Sequence, residues 1–224
     1  ADLLTAVRLL GIKADELEAL IENMVVPYAG GYLFGTIDAQ KYPDAARALH
    51  AAQKEHAFHW EFEYPEVFAH GGFSAFVGNP PFIGGKRIST SLGHILNAYI
   101  KDKFVKSKGA ADYVAYFFRQ AYDLLDNRGN MGMIATNSLS DTDTRQVGLE
   151  YIIEHGGVIY KASADFPWPG EAGVFISILH LSKSAYHSPK ILNEQEVEVI
   201  SAGLDEISSK KPYGLSEYKK VYIQ

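Results

Sequence analysis

Cysteine is absent from the 224 residues, and no stretch approaches the roughly 20 uncharged apolar residues that a membrane-spanning helix requires. The first absence removes disulfides, thiolate metal sites and cysteine nucleophiles together, which suits a reducing cytoplasm. The second, with a start (Ala1-Asp2-Leu3-Leu4) that lacks the basic residues of a secretory signal, points away from membranes and export. Positive charge is also scarce, with 21 Lys and Arg against 27 Asp and Glu for a net charge of −6. What the chain does have is apolar content, 47% of its residues, enough to bury one sizeable core.

The scarce positive charge is unevenly placed, and distribution decides where a polyanion can sit. Residues 1–78 hold 5 basic and 11 acidic side chains, residues 79–145 hold 9 and 6, and residues 146–224 hold 7 and 10. Within the basic middle, Lys86, Arg87, Lys101, Lys103, Lys106 and Lys108 are opposed only by Asp102. By charge alone this reads as one solvated surface loop.

Apolar spacing predicts two short helices in residues 2–24, ended by Val25-Val26-Pro27 and the Gly30-Gly31 turn, and an alanine-rich helix from Pro43 to His56. Helical character ends near Phe58. Phe73, Ala75, Phe76 and Val77 then form a buried strand that stops at Gly78-Asn79-Pro80-Pro81. An amphipathic helix follows over Ala111 to Leu125, closed by Asn127-Arg128-Gly129, and a strand over Met131 to Ala135. Strand, helix, strand with continuous apolar strands implies parallel pairing through a right-handed crossover. Val158 to Ala162 and Val174 to Leu181 are separated by a proline-glycine turn and are expected as an antiparallel pair. The remainder beyond Ser182 is polar, with one weak strand at Val197 to Ile200. The expected fold is α/β, a partial Rossmann-like sheet of parallel strands with a C-terminal antiparallel hairpin, preceded by a helical segment.

In an open α/β sheet the ligand crevice lies at the carboxyl ends of the strands, where Asn79 to Phe82 falls. Two prolines fix φ near −65° and donate no backbone hydrogen bond, and Asn79, preceding a proline, is pushed to an extended conformation. The Asn79 amide oxygen and the Pro80 carbonyl can then accept both hydrogens of one exocyclic amine. Such an amine is a poor nucleophile because its lone pair is delocalised into a ring. Two acceptors that draw its hydrogens toward tetrahedral geometry free the lone pair to attack a methyl sulfonium. Phe82 offers a face on which an extruded base can stack.

Asn79-Pro80-Pro81-Phe82 after a hydrophobic strand resembles the catalytic tetrapeptide of S-adenosylmethionine-dependent amino-methyltransferases, in the form associated with adenine N6 of DNA. The wider segments Phe58 to Phe68 and Gly78 to Lys86 resemble the fused type IIG and IIL restriction-modification enzymes and related phage-defence methyltransferases, over roughly residues 58–205. The resemblance implies S-adenosylmethionine as cofactor, DNA as partner, and catalysis by Asn79, Pro80, Pro81 and Phe82. It places Asn79 and Asp112-Tyr113, with the run Met133 to Ser138, at the cofactor pocket, and an aromatic from a later loop, Phe166 or Trp168, on the other face of the base. It also lets Lys86, Arg87, Lys101, Lys103, Lys106 and Lys108 meet DNA phosphates. As a plain hairpin plug, either later aromatic is accounted for equally well.

The family's glycine-rich cofactor loop, followed by an acidic residue for the ribose, belongs upstream of the Asn-Pro-Pro turn and is missing. The cluster Tyr28 to Gly35 follows helical sequence rather than a strand. The expectation is therefore a helical insertion over 1–57, the catalytic half of the domain over 58–184, and a polar tail over 185–224. The rest of the cofactor site and a specificity domain would lie in N-terminal and C-terminal parts of the parent protein, and the chain alone would be inactive. Two decoys are set aside. Gly84-Gly85-Lys86 has Arg87 where a phosphate loop needs serine or threonine, and His56, His59, Glu61, Glu63, Glu66 and His70 fall where the chain is expected to leave helix near Phe58, whereas a metal pair on a helix prefers i, i+4. Competing readings are an RNA or protein-glutamine methyltransferase on the same turn, and a non-catalytic nucleic-acid-binding module.

Overall fold

The computed structural model describes residues 58–104, 109–171 and 173–206, together with single positions between 40 and 56. The helices expected in residues 2–24 lie outside the described residues. The chain divides into two compact units, Ala1–Pro65 with Ser89–Lys103, and Glu66–Ile88 with Phe104–Gln224.

In the first unit, a short helix α1 (Trp60–Glu63) forms where helical character was expected to have ended. Its four residues are held by aromatic packing: Phe58 meets Trp60 edge-on at 5.0 Å and Trp60 stacks on Tyr64 at 6.1 Å. A further short helix, α2 (Pro65–Ala69), starts on a proline, the residue best suited to a first helical turn. The basic stretch read as one loop is in large part helical. A 3₁₀ turn (Gly85–Arg87) leads into α3 (Ile88–Leu92) and α4 (His94–Lys103). Lys101 and Lys103 occupy the last turn of α4, where cations are stabilised by the negative end of the helix dipole, so a lysine-rich stretch can close a helix. Lys106 and Lys108 lie outside the described residues.

The second unit is built on a six-stranded sheet of order β1-β2-β4-β3-β5-β6. Strand β1 (Phe73–Gly78) pairs parallel with β2 (Leu125–Thr136), connected through α5 (Tyr113–Leu124), the expected crossover. Along α5, Val114, Phe118 and Ala121, which the apolar spacing places on one face, are buried against the sheet together with Tyr122, whereas Phe117, expected on that face as well, stays outside. Burial of an apolar side chain of this size is worth about 1.5–3 kcal/mol. β2 begins earlier than expected. It advances from Leu125 to Asn130 while β1 advances from Phe73 to Ala75, so Asp126 to Gly129 bulge outward, with the Asp126 carboxylate accepting the Arg128 N–H at 2.7 Å. The turn residues do turn, but inside the strand.

After β2 come a 3₁₀ turn (Asn137–Ser140), α6 (Thr142–Val147) and α7 (Leu149–Glu154), then the antiparallel pair β3 (Val158–Pro167) and β4 (Phe175–Ser182). β4 lies between β3 and β2 and is antiparallel to both. The α/β class and the C-terminal hairpin are those expected. The polar stretch after Ser182 adds β5 (Lys190–Leu192) and β6 (Gln195–Val197) to the sheet, and Ile200, Ala202 and Leu204 to the core. The remaining residues, from 207 on, lie outside those described.

Candidate active site

Register places the expected site residues along one edge of the sheet. Gly78, the last residue of β1, sits opposite Met133, so β1 and β2 deliver Asn79 and Asn137 at the same carboxyl end. Thr136 pairs with Ile176, and Ile176 with Phe166, which puts the outgoing end of β3 and the incoming end of β4 on that edge too. Phe166 and Trp168 therefore share the edge with Asn79 to Phe82, although β1 and β3 are three strand spacings apart, roughly 14 Å. A polar cavity of about 370 Å³ opens on this edge beside β3, lined in part by Asn137, Asp141, Asp165, Ser177 and Asn193.

The Asn-Pro-Pro corner is reachable. Asn79, Pro81 and Phe82 are exposed and Pro80 is buried, so one proline seats the corner while the asparagine and the aromatic face outward. Neither proline has an N–H with which to anchor the corner. Anchoring comes from three and five residues further on. Tyr113 donates its N–H to the Ile83 carbonyl at 2.9 Å, and Gly85 donates its N–H to Asp112 Oδ1 at 2.7 Å.

Asp112 stands at the N-cap position of α5 in extended conformation, yet its side chain caps nothing. Its other oxygen, Oδ2, accepts the Ser138 hydroxyl. Since Ser138 donates there, the 2.7 Å contact between Ser138 and Thr136 has Thr136 as donor. The Asp112 N–H is taken by Thr144 Oγ1 at 3.1 Å, and the Ala110 N–H by Asp143 Oδ2 at 3.0 Å. A hydrogen bond to a charged group contributes about 1.5–3 kcal/mol. One carboxylate thus ties the loop after β1 to the turn after β2. Gly85 fits only because it has no side chain: a Cβ there would lie 1.9 Å from the Ala110 carbonyl oxygen.

Tyr113, the other residue expected at the cofactor, is half-buried with its ring edge-on to Phe117 at 5.0 Å. Burial pushes its hydroxyl above the usual phenol range, so it is a neutral donor at physiological pH. Asn79 to Phe82 and Asp112-Tyr113 are thereby brought together. Lys86 and Arg87 are exposed on the same loop, whereas Lys101 and Lys103 belong to the other compact unit. Phe166 is half-buried within β3. Trp168 lies beyond the strand, with its N–H donated to the Val174 carbonyl at 2.9 Å and its indole folded close to Gly170. Gly85 and Thr144 were not foreseen. The Gly84-Gly85-Lys86 run drew notice only as a failed phosphate loop, while its glycine is required by close approach to Ala110.

Two solved structures resemble the chain over part of its length. One is the type IIL restriction-modification enzyme MmeI, solved in complex with DNA, at 17% identity and a TM-score of 0.45, covering 59% of this chain and 19% of that one. The other is a protein described as a class I S-adenosylmethionine-dependent methyltransferase from Listeria monocytogenes, at 15% identity and a TM-score of 0.37, covering 54% and 34%. The chain thus corresponds to about a fifth of the length of the first and a third of the second. Among curated protein sequences none matches. The family model for the Eco57I restriction-modification methylase matches residues 5–155, well over half of the sequence and inclusive of the Asn-Pro-Pro corner and its anchors, and the chain belongs to that family.

Proposed function

We propose that this chain supplies the target-base half of an S-adenosylmethionine-dependent DNA methyltransferase acting on adenine N6. The observation that carries the reading is the exposed Asn79-Pro80-Pro81-Phe82 corner at the carboxyl edge of a parallel strand pair, anchored by residues that leave the asparagine amide outward. Asn79 Oδ1 and the Pro80 carbonyl accept the two N6 hydrogens, and Phe82 carries the base turned out of the duplex. Asn79 and Tyr113, both uncharged, form the near wall of the cofactor pocket. When bound, S-adenosylmethionine supplies a methyl group on a sulfonium leaving group. The amine nitrogen would gain the bond to the methyl carbon as the carbon–sulfur bond breaks to leave a neutral thioether, and would give up one proton to solvent. The exposed Lys86 and Arg87 meet the phosphates next to the flipped base, and the more distant lysines of the basic stretch contribute electrostatic attraction. A role in restriction-modification or phage defence agrees with the family.

The test is transfer of radiolabelled methyl from S-adenosylmethionine by the intact parent protein to DNA, to RNA and to a protein substrate. The DNA product is expected to be N6-methyladenine. Asn79→Ala is expected to lower transfer by about 10²-fold or more, the scale of removing one polar group that acts in the transition state, with DNA binding retained. Methylation of RNA or of a glutamine amide instead would replace the substrate. Full activity in Asn79→Ala would refute the role given to the corner, and DNA binding without any transfer by the wild type would favour a non-catalytic module.

A further inference from the structure

We infer that Asp112 is a positioning residue that sets where the Asn-Pro-Pro corner stands relative to the end of β2, and is not a ligand of the cofactor. The inference rests on the proposed methyltransferase reading for its kinetic consequence, but the bracing itself stands on hydrogen bonds. A corner made of two consecutive prolines is stiff and at the same time unable to anchor itself, because neither residue has an N–H. Its position must be imposed from downstream, and two hydrogen bonds are available among the described residues of that loop: Ile83 carbonyl to the Tyr113 N–H at 2.9 Å, and Gly85 N–H to Asp112 Oδ1 at 2.7 Å.

Each oxygen of the carboxylate is already engaged by a donor of the protein itself. Oδ1 holds the loop after β1 through Gly85, and Oδ2 holds the turn after β2 through the Ser138 hydroxyl, which is itself fixed by Thr136. The residue also forgoes the usual task of an aspartate at a helix start, since its side chain makes no cap to α5. Its backbone is pinned separately, by the Asp112 N–H to Thr144 Oγ1. The carboxylate therefore acts as a rigid bridge between the two carboxyl-end loops that carry Asn79 and Asn137. Displacement of a reacting group by about 1 Å can cost on the order of 10²-fold in rate with little change in ground-state binding. A brace should thus act on turnover, whereas a ribose ligand should act on cofactor affinity.

The experiment compares Asp112→Ala and Asp112→Asn in the intact parent protein, reading kcat, the KM for S-adenosylmethionine and hydrogen exchange of the Gly85 amide. For Asp112→Ala we expect kcat to fall by about 10²-fold, with the cofactor KM within about threefold of wild type and Gly85 exchange accelerated at least about tenfold. Asp112→Asn should restore both readouts to within a few-fold. Its amide oxygen still accepts from Gly85, and its NH2 can donate to a Ser138 hydroxyl turned to accept. A raised cofactor KM with kcat intact in Asp112→Ala, or Asp112→Asn as impaired as Asp112→Ala, would overturn the inference. If the wild-type protein transfers no methyl group at all, the methyltransferase reading fails, and the Gly85 exchange rates still decide whether the brace exists: unchanged exchange in Asp112→Ala would remove it.

Discussion

The loop after β1 and the loop between β3 and β4 reach the same edge of the sheet, and they are held there in opposite ways. The first is stiffened by Pro80 and Pro81, tied through Ile83 and Gly85 to the start of α5, and packed so closely that Gly85 has no room for a methyl group. The second is tied lightly. Trp168 N–H to the Val174 carbonyl closes it at 2.9 Å, and Asp165 N–H reaches the Ser177 hydroxyl at 3.2 Å. The end of β3 that leads into it carries Asp165 in the left-handed region at φ 59°, within a register shift between Ser163 and Phe166, beside a polar cavity. On the proposed methyltransferase reading, the contrast matches a division of labour. Acceptors that must bend an amine require a fixed position, whereas an aromatic face closing over a base tolerates some freedom and gains from room to move.

The largest break in that contrast is expected from Gly85→Ala. A Cβ 1.9 Å from the Ala110 oxygen forces the backbone of the rigid loop to shift, and methyl transfer by the parent protein should fall about 10²-fold while circular dichroism still reports a folded domain. Unaltered transfer would show that the corner tolerates displacement. A smaller effect is expected on the pliant side. Trp168→Ala should cost about 1–3 kcal/mol of base stacking, read as a raised KM for DNA with an unchanged melting temperature. Phe166→Ala, paired within β3 opposite Ile176, should lower the melting temperature more than it affects substrate. The reverse outcome would hand the stacking role to Phe166. The smallest effect belongs to Asp165→Gly, where relief of the left-handed backbone should stabilise the domain by no more than about 1 kcal/mol in a denaturant titration.

Much of the second unit is legible from local pattern. The apolar run ending at Gly78 specifies a strand, although β1 stands at the end of the sheet with none of its residues buried where a buried strand was expected, and the helical spacing of Val114, Phe118 and Ala121 and the Pro167-to-Gly173 turn specify the next elements, because period and punctuation are local properties. The elements that were misread are those whose stability is not local. The basic stretch after Lys86 carries weak apolar spacing and reads as loop until the lysines are seen to close α4, and the stretch after Ser182, polar on average, reaches the sheet through β5 pairing with β3 and reaches the core through isolated apolar residues such as Ile200 and Leu204. In the site, Asn79 to Phe82 stand out because two prolines and an amide form a signature in four consecutive residues. The brace does not, because Gly85, Asp112, Ser138 and Thr144 are contributed from separate segments, Thr144 from within α6, and each is ordinary taken alone.

By itself, then, the amino-acid sequence determined the α/β class, the crossover pairing of two parallel strands and a stiff acceptor-bearing corner at a strand end. Those follow from backbone dihedral restriction and side-chain periodicity, which act over a few residues. Only the tertiary structure decided that the corner is anchored through the Asp112 carboxylate to a turn 26 residues beyond that aspartate, since a hydrogen bond between Asp112 and Ser138 exists only when the sheet has set β1 beside β2.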